Sequence, residues 1–134
     1  MNDQPTDQPI NILMVDDSAT NLLALESILK TPDRNLVRAT SGEAALLYLL
    51  DHDVAVVLLD VYMPGIDGLE TAELIRSREK SRDIPIIALT AKAMKADRDH
   101  CLEVGASDYI SKPLDIDQLL SLLRVWLYRQ DESL

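Results

Sequence analysis

The sequence lacks the paired cysteines typical of small secreted proteins and the long apolar runs typical of membrane proteins. Its single cysteine, Cys101, cannot form an internal disulfide, which fits a protein of the reducing cytoplasm. No apolar run approaches the roughly 20 residues that a membrane-spanning helix requires. These two deficits argue against a disulfide-stabilised secreted scaffold and against a membrane partner, and they favour a cytoplasmic location.

Positive charge is also scarce. The chain has 13 Lys and Arg against 23 Asp and Glu, a net charge of −10. Such a balance disfavours nucleic acid and anionic membranes as direct partners. With 134 residues, 47% hydrophobic and 27% charged, the composition is otherwise that of one ordinary folded domain. The acidic excess becomes informative where several carboxylates converge on one place.

Five short apolar runs alternate with five segments of helical character. The predicted strands cover residues 10–15, 35–39, 55–59, 84–89 and 107–110. The first two predicted helices begin after Ser18 and Ser41, which act as N-caps. The other three cover residues 67–78, 93–104 and 116–128. Near-continuous apolar strands that alternate with helices are typical of a parallel sheet covered on both faces. The predicted fold is therefore a single doubly wound α/β domain.

The spacing of apolar residues predicts which side of each helix packs on the sheet. The inward residues are expected to be Leu22, Leu25 and Leu29, then Ala45, Leu46, Leu49 and Leu50, then Leu69, Ala72, Leu74 and Ile75, and finally Ile116, Leu119, Leu120, Leu123 and Leu127. Leu122 and Trp126 fall outside the last of these stripes. We expect them to offer a surface for a homodimer or an output partner.

Polar side chains follow four of the predicted strands where each strand ends. Asp16 and Asp17 follow the first strand and Asp60 the third. Thr90 follows the fourth strand, and Lys112 comes shortly after the fifth. Because ligands of doubly wound sheets bind at the carboxyl ends of the strands, we expect these five residues to form one site.

Three carboxylates in one site repel one another, by about 1–4 kcal/mol per pair at ~4 Å, depending on the effective dielectric constant. A single lysine does not neutralise them. Carboxylate, carbonyl and water oxygens are the ligands that Mg²⁺ prefers, and protein-bound Mg²⁺ commonly meets a phosphate. The pattern therefore predicts Mg²⁺ as cofactor and phosphoryl chemistry as the activity.

Four separated motifs resemble one known family in order and spacing. The segments ILMVDD, LLDVYMPGIDG, PIIALTA and GASDYISKP are similar to the receiver domain of two-component response regulators, and in particular to receivers of hybrid histidine kinases. The resemblance implies a five-stranded flavodoxin-like (βα)5 sheet of order 2-1-3-4-5. It places the receiver domain at residues 10–130, between a polar N-terminal tail of residues 1–9 and a C-terminal tail of residues 131–134.

The resemblance also implies roles for the matching residues. Asp60 is expected to accept the phosphoryl group from a phosphohistidine of a histidine kinase or a phosphotransfer protein. Asp17, Asp60 and the backbone carbonyl of Tyr62 are expected to bind Mg²⁺ directly, and Asp16 through water. Thr90 and Lys112 are expected to contact phosphoryl oxygens. The chain would then catalyse only its own phosphorylation and dephosphorylation.

Two further expectations concern the switch and the loop that follows the fifth strand. Thr90 and Tyr109 resemble the family's switch pair, in which an aromatic ring moves inward after the hydroxyl is drawn to the phosphoryl group. The Lys112–Pro113 peptide bond is expected to be cis, which the small trans preference of X–Pro bonds allows.

Tyr62, two residues after Asp60, is large enough to lie over the mouth of the predicted site. We hypothesise that it hinders the water that hydrolyses the acyl phosphate.

Tyr62 also distinguishes a receiver from the main alternative function. That alternative is a haloacid-dehalogenase-like phosphatase, which would carry a second Asp at this position. Two weaker rivals are a flavin or nucleotide binder and a pseudo-receiver used only for docking. The binder would need a Gly/Ser/Thr loop after the first strand, and the pseudo-receiver is disfavoured by the intact Asp–Thr–Lys set.

Overall fold

The computed structural model of the chain describes residues 9–63, 65–91 and 95–132. Five strands and five helices alternate over these residues. The strands are β1 (Ile10–Val15), β2 (Arg34–Ala39), β3 (Val56–Asp60), β4 (Ile86–Thr90) and β5 (Asp108–Ser111). The helices are α1 (Ala19–Leu29), α2 (Gly42–Asp51), α3 (Gly68–Ser77), α4 (Lys95–Glu103) and α5 (Ile116–Glu132). All neighbouring strands are parallel and their order is 2-1-3-4-5, which confirms the predicted fold class.

Alternate residues of the central strands enter cores on opposite faces of the sheet. The core between the sheet and helices α1 and α5 contains Ile12, Met14, Val56, Leu58, Ile87, Leu89 and Ile110 from the strands. The core on the other face, beneath α2 and α3, contains Leu13, Val15, Val57, Leu59 and Ile86. Both faces of the central strands are therefore buried, which explains why their sequences are apolar throughout.

Side-chain caps fix where three of the helices begin. Ser18, Ser41 and Asp67 each accept a hydrogen bond from the backbone N–H three residues later. A cap of this kind contributes about 1 kcal/mol and sets the point at which the loop becomes helix. The caps of α1 and α3 therefore fix the loops that follow β1 and β3, which carry polar residues of the predicted site.

Three residues predicted to point inward are exposed instead. Leu50 is 53% exposed, Leu74 36% and Ile116 50%. Leu50 and Leu74 each adjoin a buried residue, Leu49 and Ile75, and neighbouring residues of a helix point about 100° apart. In these two pairs Leu49 and Ile75 face the sheet, and their neighbours point toward solvent. Ile116 is the first residue of α5 and precedes the part of that helix that lies on the core.

The last helix differs from its prediction in two ways. It continues to Glu132, past the predicted end at residue 128 and into the predicted C-terminal tail. Leu122 and Trp126, predicted to lie off the inward stripe, are half-buried and pack against the core beneath α1 and α5. The predicted N-terminal tail lies outside the described residues except for residue 9, as do residues 133–134 of the C-terminal tail. Among the described residues, no helix is both long and apolar enough to cross a membrane.

The side chain of Arg76 in α3 joins the loops that precede β4 and β5. Its guanidinium donates hydrogen bonds to the backbone carbonyls of Arg82, Ile84 and Gly105, at 2.6–2.9 Å, and to the Ser107 hydroxyl at 3.2 Å. Gly105 has a φ of +120°, and a Cβ there would lie 2.6 Å from Arg76 Cγ. A glycine is therefore needed where the loop after α4 approaches this arginine.

Candidate functional site

The sheet directs three charged side chains to one end of the same face. Asp16, Asp60 and Lys112 each come two residues after a side chain buried on the α1–α5 side, and side chains of a strand alternate between faces. Those buried side chains are Met14, Leu58 and Ile110. The carboxyl ends of β1, β3 and β5 thus place these charged groups together, as the sequence predicted.

The distances confirm that these groups form one cluster. Lys112 Nζ lies 3.1 Å from Asp60 Oδ1 and 3.6 Å from Asp16 Oδ2. Carboxylate oxygens of Asp16, Asp17 and Asp60 all lie within 4.8 Å of one another. Asp16 is 1% exposed and Asp60 5%, whereas Asp17 is open to solvent. The cluster is therefore a buried pair of carboxylates with a lysine on one side and an accessible third carboxylate on the other.

The surroundings of Asp60 make its charged form costly. Burial raises the pKa of the Asp60 carboxyl above its usual value, and the charge of Asp16 acts in the same direction. The Lys112 ammonium and the backbone N–H of Tyr62, which both donate hydrogen bonds to Asp60, oppose this rise without cancelling it. A further cation in this place would stabilise the ionised carboxylate that a nucleophile requires.

The donor set fits a hard divalent cation. Among the described residues, three carboxylates meet a single nearby ammonium, so one negative charge or more remains uncompensated within a few ångströms. All the converging ligands are oxygens, and the exposed side of Asp17 leaves room for water, which Mg²⁺ retains when it binds to proteins. Asp16, Asp17 and Asp60 are therefore the residues that would hold Mg²⁺. A contribution from the Tyr62 carbonyl stays a prediction.

Thr90 and Lys112 come from neighbouring strands that are joined at their ends. Thr90 is the last residue of β4 and is 1% exposed. Its backbone carbonyl accepts a hydrogen bond of 2.7 Å from the Lys112 N–H. The Lys112–Pro113 peptide bond is cis. This backbone link holds the loop that carries Lys112 against the end of β4, beside Asp60 at the end of β3.

Tyr109 lies on the α4 side of the sheet. It pairs with Ala88, two residues before Thr90, so that Tyr109 and Thr90 belong to the same face. The ring packs with a small buried cluster of Val61, Ala88, Cys101 and Ala106. The Arg98 guanidinium of α4 contacts the Tyr109 hydroxyl and lies 5.2 Å from the centre of its ring. Sequence reasoning missed this arginine, because nothing in its local pattern indicates an aromatic partner.

Asn21 is a second site residue that sequence reasoning missed. Its side-chain amide donates a hydrogen bond of 3.2 Å to Asp16 Oδ2, while the Ser18 backbone N–H donates one of 2.9 Å to Asp16 Oδ1. The available signal was its place in the first turn of α1, shortly after the two acidic residues. Polar side chains in a first helical turn commonly reach back toward the preceding loop.

Comparison with known proteins identifies the family. Residues 12–124 match the response regulator receiver domain. The chain belongs to this family. It is thus a receiver domain of the two-component type, as the motifs and the arrangement of the strands predicted. Receiver domains work together with histidine kinases or phosphotransfer proteins.

Two relatives show the settings in which similar receivers occur. The receiver is 36% identical over 118 residues to the sensor protein GacS of Pseudomonas syringae pv. syringae, a match that covers 86% of this chain and 13% of that protein. It is 29% identical over 117 residues to the polar-differentiation response regulator DivK of Brucella ovis, covering 87% of this chain and 95% of that protein. The chain therefore spans a small part of one relative and nearly all of the other.

A solved structure supports the fit of the cluster to a metal. The receiver domain of the sensor histidine kinase PA1611 from Pseudomonas aeruginosa is 32% identical to this receiver, with a TM-score of 0.81, and the match covers 89% of this chain and 98% of that one. That crystal structure has a magnesium ion coordinated in its active site cleft. Receiver domains bind Mg²⁺ at an acidic pocket, and Asp16, Asp17 and Asp60 form an acidic cluster in this receiver.

Proposed function

We propose that this receiver accepts a phosphoryl group on Asp60 from a phosphohistidine of a histidine kinase or a phosphotransfer protein in the cytoplasm. One observation carries the proposal. The Asp60 carboxylate is buried at the end of a central strand, 3.1 Å from Lys112 Nζ and within 4.8 Å of two other carboxylates. A rigidly held carboxylate beside a cation and a metal-binding pair is what phosphoryl transfer to an acid requires.

Each residue of the site has a separate role in the proposed phosphoryl transfer. A carboxylate oxygen of Asp60 attacks phosphorus, the P–N bond to the donor imidazole breaks, and the leaving ring nitrogen takes up a proton. We propose that Lys112 and the Thr90 hydroxyl bind the phosphoryl oxygens as charge spreads over them. Mg²⁺ held by Asp16, Asp17 and Asp60 would neutralise further charge on these oxygens. Because Asp60 is fixed by its strand, little reorganisation precedes the attack.

The proposed transfer is tested with a small phosphodonor that has the same P–N bond, phosphoramidate. The chain is incubated with phosphoramidate and MgCl₂, and its intact mass is followed with time. We expect a mass increase of one phosphoryl group, lost when the metal is chelated before the donor is added. A chain that gains no phosphoryl group at any Mg²⁺ concentration would overturn the proposal.

The rival activities lack support. A haloacid-dehalogenase-like phosphatase needs a second Asp two residues after the nucleophile, and Tyr62 stands there. A pseudo-receiver used only for docking would not need the ion pair of Lys112 and Asp60 or the intact acidic cluster. We therefore propose that the chain turns over no other phosphoester and acts only on its own aspartyl phosphate.

Tyr62 is expected to lengthen the lifetime of that aspartyl phosphate. It is 45% exposed, and its own backbone N–H donates to the Asp60 carboxylate, so its side chain begins at the rim of the site. We expect Tyr62→Ala and Tyr62→Asn to speed loss of the phosphoryl group by roughly three- to tenfold, because water approaches more freely. Decay of the purified phosphorylated chain measures this rate.

The matched control for Tyr62 is Leu47→Ala, which removes a large exposed side chain from α2, 66% exposed and on another element. Its decay rate should equal that of the wild type. If Tyr62→Ala and Tyr62→Asn also decay at the wild-type rate, the hypothesis that Tyr62 excludes water is wrong.

We also propose that α5 carries the homodimer or output-partner surface. Leu122 and Trp126 are half-buried, and Val125, between them and 48% exposed, adds the outward apolar group. With beryllofluoride bound as a phosphoryl mimic, we expect the chain to sediment as a dimer, and Val125→Glu to restore the monomer. Leu23→Glu, at an exposed apolar residue of α1, is the control. A monomer with and without the mimic would exclude homodimerisation at this face.

A further inference from the structure

We propose that Asn21 is a positioning residue for phosphoryl transfer: by donating to Asp16, it keeps the Lys112 ammonium on Asp60. This inference rests on the proposed function, since it assigns to Asn21 a part in the same reaction. Among the hydrogen bonds of the described residues, Asn21 makes none to the reacting groups, Asp60 and Lys112. It acts through the carboxylate of Asp16.

Two carboxylates compete for Lys112. Its ammonium lies 3.1 Å from Asp60 Oδ1 and 3.6 Å from Asp16 Oδ2, so both are within its reach. Both carboxylates are buried, and a buried charged oxygen that lacks donors attracts the nearest cation strongly. A small change in the donors around Asp16 is therefore enough to decide which carboxylate holds the lysine.

Among the described residues, Asp16 has two hydrogen-bond donors of different kinds. Oδ1 accepts from the Ser18 backbone N–H at 2.9 Å, and Oδ2 from the Asn21 amide at 3.2 Å. Ser18 donates from the backbone, so substitution at that position leaves its bond in place. The Asn21 bond is the only one of the two that depends on a side chain. It lies on Oδ2, the oxygen that also faces Lys112.

A neutral amide suits this position better than a charged group. It satisfies Asp16 Oδ2 without repelling Lys112 or a metal cation, whereas a lysine or arginine would repel both. An aspartate would add a fourth carboxylate to the three already present. The backbone of Asn21 is itself fixed, because its N–H donates to the Ser18 cap at 3.2 Å. Asn21 therefore approaches Asp16 from a defined place in the first turn of α1.

The test begins with Asn21→Leu, which has a similar size but no donor. In the Mg²⁺-free crystal structure of this variant, we expect Lys112 Nζ to lie closer to Asp16 than to Asp60, the reverse of the arrangement described above. Phosphorylation by phosphoramidate at saturating Mg²⁺ should slow by roughly five- to tenfold, which corresponds to the net contribution of one typical hydrogen bond. Ser27→Ala, which removes an exposed hydroxyl bonded to Leu23 on the same helix, should behave as wild type.

A double-mutant cycle separates positioning from general damage to α1. If Asn21 acts through Asp16, the slowing caused by Asn21→Leu should disappear in an Asp16→Asn background, where the pull on Lys112 is already weak. Equal slowing in both backgrounds would overturn the inference. So would an Asn21→Leu variant with unchanged Lys112 position and unchanged rate.

The outcomes also separate this inference from the proposed function. If the wild type is not phosphorylated at all, the proposed function fails, and the Lys112 position in the variant crystal still tests the role of Asn21. If the wild type is phosphorylated and Asn21→Leu matches it, only the role of Asn21 is wrong.

Discussion

Asp60→Asn is expected to abolish phosphorylation of the chain without unfolding it. The amide is a far poorer nucleophile than the carboxylate, and no neighbouring carboxylate among the described residues is held against Lys112 as closely. We expect no mass increase with phosphoramidate and Mg²⁺ under conditions that fully phosphorylate the wild type. Because burial and Asp16 already raise the pKa of Asp60, removing its charge should not lower the stability of the Mg²⁺-free chain.

The matched control is Asp53→Asn, an exposed acid in the loop before β3, at the opposite end of that strand. It should take up one phosphoryl group at the wild-type rate. Mass and unfolding are read on the same samples, so that a folded and unphosphorylated Asp60→Asn variant supports the assignment. Phosphorylation of Asp60→Asn to the wild-type extent would place the acceptor on another residue.

Gly68→Ala is expected to have the largest effect on stability. Gly68 is the first residue of α3, and its N–H donates to the Val61 carbonyl at 2.8 Å. A Cβ at this position would lie 2.2 Å from the Asp60 carbonyl oxygen and 2.6 Å from Val61 Cα. These are backbone atoms of β3 and the residue after it, and they cannot rotate away. The helix must therefore shift from the strand end that carries the phosphoacceptor.

The preference of helices for alanine over glycine offsets part of the cost of this clash, but its free energy is smaller. Alanine is favoured over glycine by about 1 kcal/mol in a helix interior, whereas an overpacked buried site costs about 1–3 kcal/mol and occasionally more. We expect a net loss of about 2 kcal/mol in the free energy of unfolding, measured with urea. The loss should be accompanied by slower phosphorylation, because the backbone of Asp60 is displaced.

Glu73→Ala is the control for that experiment. Glu73 is exposed on the same helix, so its substitution should change the free energy of unfolding by less than about 0.5 kcal/mol. If Gly68→Ala is as stable as Glu73→Ala, then α3 is free to move away from β3, and the close approach of Gly68 to Asp60 has no structural importance.

The sequence predicted the strand and helix alternation and the convergence of Asp16, Asp60 and Lys112 for the same physical reason. In a parallel sheet every strand ends at the same edge, so the residue after each apolar run has a known place before any contact is known. The observed strands are shifted by one or two residues at some ends. Asp60 and Thr90 are consequently the last residues of β3 and β4, held by the sheet itself.

Other features depended on information that the pattern does not contain. Leu50 and Leu74 were expected to be buried because they are apolar, but the arc of a helix that meets a sheet is narrower than its apolar face. The contacts of Asn21 with Asp16 and of Arg98 with Tyr109 depend on side-chain rotamers and on the path of a loop. Local sequence determines neither, so tertiary structure was needed to find them.

The four hydrogen bonds of Arg76 have a consequence for how this sequence can vary. Among the side-chain hydrogen bonds of the described residues, this one guanidinium is what joins the loop between α3 and β4 to the loop between α4 and β5. A change that displaces either loop alters the angle at which Arg76 meets the other. We therefore expect substitutions at residues 82–84 and 105–107 to be energetically coupled, so that the effect of a change in one loop depends on the residues present in the other.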